Sequence, residues 1–208
     1  MAIPNLIRPD QAYTFADYFK LNYDTEDILA YFGYSFQPQT ITLPSSSQPL
    51  DRLDNLKQRI EESLPYLSLT NEMARREFLI APVLMELIHY THVRIKVSYP
   101  LMVTEQLKGE LDYYLQLAEQ LVVIEAKNAD LQKGFTQLGV ELIALDQSQL
   151  TQSSTVYGAV TVGNIWQFGA LHRQDKQVVQ DLNLFRVPAD LDELLRVLIA
   201  IVKGEPVQ

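Results

Sequence analysis

From Asn71 onward the apolar residues Met73, Ile80, Val83, Leu84, Leu87 and Ile88 recur at helical intervals. This spacing predicts an amphipathic helix whose first turn Thr70 or Asn71 can cap. Pro82, inside the pattern, lacks a backbone donor and predicts a bend. Three strands are expected next, at about 93–99, 109–117 and 121–127. The third contains the unbroken run Leu121-Val122-Val123-Ile124, which suits a strand covered on both faces. A helix over about 129–145 follows, with Phe135, Leu138, Leu142 and Leu145 along one side. Strands over about 156–162 and 166–173 meet at Gly163-Asn164, a good turn pair, and another strand is expected at about 182–187. Pro188 then opens a final helix, whose stripe of Leu191, Leu194, Leu195, Leu198, Ile199 and Val202 ends at Gly204. The order predicts an α/β (α+β) fold with a mixed central β-sheet flanked by helices.

Ahead of this pattern the chain changes character. Nine aromatics lie between Tyr13 and Phe36, followed by Ser45-Ser46-Ser47 between Pro44 and Pro49, which reads as a linker. Leu53, Leu56 and Ile60 predict a polar amphipathic helix over 51–63. The expected division is an aromatic-rich N-terminal extension with its linker helix over 1–66, packed on a core over 67–208.

A length of 208 residues suits one compact domain with an appended arm, and 47% hydrophobic with 21% charged residues excludes fibrous and largely disordered classes. The absence of cysteine removes disulfide scaffolds, thiolate metal sites and thiol nucleophiles, and suits a reducing compartment. The aliphatic run from Val197 to Val202 is far short of the ~18 residues of a membrane span. Residues 1–10 carry Pro4, Arg8 and Asp10 where a leader would be apolar. A soluble cytoplasmic protein without membrane contact is expected. A net charge of −9 argues against a broad electrostatic hold on nucleic acid, but leaves room for a local basic groove from Arg75, Arg76, Arg94, Lys96, Lys108 and Lys133.

Dinucleotide fingerprints, phosphate loops, nucleophile elbows and zinc helices are all missing from the sequence. What remains is a pair of carboxylates and a lysine on neighbouring strands. Strand alternation puts Glu125 and Lys127 on one side of their strand, and Glu110, Asp112 and Tyr114 on one side of the preceding strand. A hairpin between the two brings Asp112 near Glu125, where like charges repel unless a cation lies between them. Oxygen ligands favour Mg²⁺ or Mn²⁺, and a lysine beside such a metal can orient or deprotonate an attacking water, as phosphodiester hydrolysis requires.

Asp112 followed thirteen positions later by Glu125-Ala126-Lys127 resembles the PD-(D/E)XK nuclease superfamily, with Leu111 in place of the proline. The segment from Asn71 to Leu84 is similar to the first core helix of the nuclease domain of type I restriction R subunits. Tyr157-Gly158 through Trp166 looks like the later strand pair. The resemblance spans about 67–173. It implies a restriction-endonuclease-like core and Mg²⁺-dependent (or Mn²⁺-dependent) hydrolysis of nucleic acid, DNA first, with a homodimer as an open assembly. It assigns Asp112, Glu125 and Ala126 to the metal, and Lys127 to the water. Glu72 becomes the helix glutamate, ahead of Glu77, and Gln137 the glutamine that follows. The alternative is a noncatalytic binding or assembly module that keeps this fold. Elsewhere, Arg75 and Arg76 are expected to decorate an exposed helix face, Glu86, His89 and His92 to be structural, and Trp166 and Phe168 to be core.

Overall fold

A computed structural model of the chain describes residues 6–117, 120–126, 130–148 and 150–207; over 120–126 it describes the course and register of the backbone. The elements run in the order α1 (Phe15–Tyr18), α2 (Thr25–Tyr31), β1 (Ser35–Gln39), α3 (Leu53–Ser63), α4 (Glu72–Arg75), a π-turn (Arg76–Ile80), α5 (Ala81–Thr91), β2 (Arg94–Met102), β3 (Lys108–Leu117), β4 (Gln120–Ala126), α6 (Leu131–Ser148), β5 (Thr155–Thr161), β6 (Ile165–His172), β7 (Gln177–Asp181), β8 (Phe185–Arg186) and α7 (Leu191–Lys203). The result is a mixed α/β fold: one mixed sheet, in the order β1-β7-β6-β5-β4-β3-β2 with β8 on β6, flanked by helices.

The pleat sends alternate residues to two separate cores. On one face Tyr113, Leu115, Ala159, Trp166 and Phe168 meet α3, α5 and α7. On the other Tyr114, Val156, Val160, Leu171 and Val178 meet α1, α2 and α6. The stripe on α7 is buried as its spacing predicts, each fully buried leucine contributing about 1.5–3 kcal/mol, and Gly204 closes the helix at φ 69°. α6 lies so close to the sheet that a Cβ at Gly158 would stand 2.7 Å from Leu138, and one at Gly169 2.7 Å from Phe135. Glycine is what the approach requires at both positions.

Several expectations are corrected. The irregularity expected at Pro82 falls one turn earlier. The Ala81 N–H reaches back to the Arg76 carbonyl, so a wide turn absorbs the donor that proline lacks and Pro82 sits in the first turn of a fresh helix. α7 begins at Leu191 rather than at Pro188. The strand expected over 182–187 shrinks to Phe185–Arg186, while Gln177–Asp181 forms β7. Residues 35–39 of the N-terminal segment pair in parallel with β7 as an edge strand, where Pro38 is tolerated. The serine linker is pinned to α7: Arg196 donates to the carbonyls of Ser46 and Gln48 at 2.9 and 3.2 Å. Among the described residues, no helix is long and apolar enough to cross a membrane.

Candidate functional site

The β3–β4 ladder pairs Tyr113 with Ile124, so Asp112 and Glu125 occupy the next positions along the two antiparallel strands. On its other side β3 pairs with β2, matching Val97 to Tyr113 and Tyr99 to Leu111, which leaves Ser98 facing Asp112. Ser98 has φ 50°, a left-handed conformation that a non-glycine residue adopts at a cost. Side-chain alternation breaks here. Leu111 packs in the same core as Tyr114, although Tyr113 and Leu115 pack in the other. Asp112 is therefore the residue at which β3 turns over.

Its carboxylate meets Arg76. The Arg76 Nη1 lies 3.4 Å from Asp112 Oδ1 and 3.7 Å from Glu72 Oε1, and its guanidinium stacks 5.1 Å from the centre of the Tyr113 ring. The Nε of Arg76 donates to the Tyr113 hydroxyl at 3.4 Å. Partial burial works against this charge, but Tyr113, Asp112 and Glu72 more than offset it, so Arg76 is held above its usual pKa. The sequence expectation of Arg76 as surface decoration is thus corrected: its side chain is only 23% exposed and joins a helix carboxylate to a strand carboxylate. The readable signal was Glu72 at four residues before Arg76, the spacing of a helical ion pair. Arg75 instead donates to the Leu69 carbonyl at 2.8 Å. Glu72, Glu77, Arg76, Val97 and Tyr113 line one cleft of about 390 Å³.

Glu125 and Ala126 pair with Val160 and Thr161 at the carboxyl end of β4. The expected site at Lys127 lies outside the described residues, as do the side chains of Glu125 and Ala126. Gln137 lies on the inner side of α6, where its Nε2 donates to Glu141 Oε1 at 2.8 Å; both residues are buried. Of the basic candidates, Lys108 is paired with Glu105 at 2.6 Å and Lys133 reaches Asn22. Arg94 and Lys96 are exposed on edge strand β2, and the Lys96 ammonium stands over the stacked rings of Tyr99 and Tyr114.

Among the described residues, no group of three or more His, Cys, Asp or Glu side chains converges as a metal site. Glu72 and Asp112 both pair with the Arg76 guanidinium, and Glu125 holds the β4 position one beyond the Tyr113–Ile124 pair; carboxylates are the oxygen donors that a hard cation would take. His89 sits 3.8 Å from Asp51, and His92 ends α5 in a left-handed conformation.

Asp181, at the carboxyl end of β7, is fully buried. Its Oδ1 accepts from the backbone N–H groups of Ile41 and Asn183 and from the Asn183 side chain, while Oδ2 has no partner among the described residues. Burial raises its pKa above the usual carboxylate value, and the donors from Asn183 and Ile41 only partly oppose this. Stability from such a group is full below the unfolded-state pKa and falls as pH rises through the folded-state pKa. Asp181→Asn keeps the acceptor and removes the charge. Its melting temperature relative to wild type should accordingly be higher at about pH 7 than at about pH 3; an equal difference at both would contradict this assignment.

Neither a known protein family, nor a curated protein, nor a solved structure matches the chain.

Proposed function

We propose that this protein is a Mg²⁺- or Mn²⁺-dependent hydrolase of nucleic-acid phosphodiester bonds, DNA first, built on a restriction-endonuclease-like core of the PD-(D/E)XK type. The observation that carries the reading is the β3–β4 register. Its terminal pair, Tyr113 with Ile124, leaves Asp112 and Glu125 one position further along adjacent strands, at a break in alternation where Ser98 holds a costly conformation, and this supports the reading. A glutamate from α4 reaches the same spot through Arg76.

In this reading Asp112 and Glu125, with Glu72 and the Ala126 carbonyl, hold the cation. When bound, it stabilises the negative charge that gathers on the phosphorus oxygens. Lys127 orients the attacking water or takes its proton. Gln137, fixed by Glu141, positions groups beneath the strand rather than touching the phosphate. Arg94 and Lys96 on the open edge of the sheet supply local positive potential on a chain whose net charge is −9.

The test is cleavage of plasmid and single-stranded DNA by the full chain with Mg²⁺, with Mn²⁺ and with chelator. Cleavage that requires the divalent ion supports the proposal. Arg76 favours the second reading, a noncatalytic binding or assembly module that keeps the fold, because its guanidinium already pairs with Asp112 and Glu72. Salt-dependent DNA binding with no cleavage of any substrate would select that module.

A further inference from the structure

A cavity lies on the α6 face of the sheet, away from the cleft at Arg76. It has a volume of about 510 Å³, within the range of small-molecule sites. Its polar lining includes the amides of Gln132, Gln167 and Gln180, and its apolar walls include Phe36, Leu131 and Leu184. Phe36 is backed by Phe135, with ring centres 6.0 Å apart.

The amides are ordered to different degrees. Gln167, nearly buried, donates to the Asp181 carbonyl at 2.8 Å and accepts from Gln180 Nε2 at 3.1 Å, so it is committed and holds Gln180 in place. The Gln180 Oε1, its second N–H and the whole Gln132 amide have no hydrogen-bond partner among the described residues. A fixed amide with one acceptor and one donor edge matches the N6 donor and N7 acceptor of adenine. Asp24 and Glu26 also line the cavity and repel phosphate. Neutral amides, apolar walls and a carboxylate border suit an uncharged, flat, hydrogen-bonding ring.

The cavity lies on the opposite face of the sheet from the Arg76 cleft, and it relates to the candidate site through the β4 position of Glu125. Glu125 pairs with Val160, and Val160 pairs with Gln167, so Gln167 stands two strands from Glu125 in one cross-sheet row. Two strand spacings are about 10 Å.

We propose that this cavity receives one unpaired nucleobase of the substrate strand, adenine in preference to the others, with Gln180 and Gln132 reading its edge and Phe36 against its face. The proposal rests on the nuclease reading for its substrate, and its test does not. The full chain, in chelator, is titrated with adenosine, cytidine, guanosine, thymidine and ribose 5-phosphate, following the side-chain amide signals of Gln132, Gln167 and Gln180 by nuclear magnetic resonance.

Adenosine should shift these signals saturably and most tightly, and ribose 5-phosphate should not. Gln180→Leu and Gln132→Leu should each weaken adenosine binding about three- to tenfold, the range of one neutral hydrogen bond. Gln132 is exposed on the first turn of α6, so its variant tests the site without disturbing the core. Absence of a saturable shift with any nucleoside, or unchanged affinity in both variants, overturns the pocket. Cleavage assays separate the two proposals. Adenosine binding without divalent-dependent cleavage retains the pocket and refutes the nuclease; cleavage without nucleoside binding does the reverse.

Discussion

Replacing Asp112, Glu125 or Lys127 by alanine is expected to lower divalent-dependent cleavage by about a hundredfold to ten-thousandfold, the range that metal-activated general acid–base catalysis commands. The three losses should not add, because a site without its cation gains nothing from the lysine. Lys127→Ala should leave Mn²⁺ affinity nearer to wild type than Asp112→Ala does, since an ammonium is not a ligand. Folding should survive Asp112→Ala: its carboxylate is 21% exposed at the edge of a cleft, and Tyr113 and Leu111 on either side carry the packing. Melting curves for each variant, measured beside plasmid nicking, check both halves. Wild-type cleavage by all three variants would mean that the chemistry resides elsewhere.

Glu86 on α5 is 2% exposed, yet its Oε1 accepts from Arg52 at 3.1 Å and from Arg59 at 3.3 Å, tying α3 and the residue before it to α5. Its Oε2 has no partner among the described residues. Removing both arginines leaves a buried carboxylate uncompensated, which costs about 3 kcal/mol, the lower end for such losses because the two guanidiniums are half exposed and water replaces part of their effect. For a chain of this size that is a fall of about 6–12 °C in melting temperature. Adding Glu86→Gln to the Arg52→Ala/Arg59→Ala pair should restore most of the loss, since the buried charge is then gone. If the triple variant melts no higher than the double, the arginines act through packing of their stems and not through Glu86.

The elements that the sequence made legible are those with long periods. α7 and α6 carry many apolar turns, and the β4 run is a solid apolar block, so each announces itself locally. β7 does not: Gln177-Val178-Val179-Gln180-Asp181 offers two apolar residues between polar ones, and becomes a strand only because β6 and β1 supply ladders on both sides. β1 is hidden by Pro38 and depends on β7 for its pairing. The π-turn at Arg76–Ile80 is the response of a helix to Pro82, whose position was readable though the form of the response was not.

At the candidate site, Asp112 and Glu125 were singled out from strand phase alone. The phase argument assumed unbroken alternation in β3, however, and the turnover at Asp112 depends on Ser98 across the ladder, which no local pattern reveals. Arg76 was underestimated for the same reason: its helix neighbours suggested a solvated face, and its partner Asp112 arrives from a strand 36 residues away.

The proposed sharing of one cation by Asp112 and Glu125 is tested most directly by anomalous diffraction from crystals of the full chain soaked in Mn²⁺. The expected result is a peak bounded by the Asp112 and Glu125 carboxylates, with the Arg76 guanidinium displaced from its 3.4 Å contact with Asp112. A map without a peak there, with Arg76 still bridging Asp112 and Glu72, would contradict it.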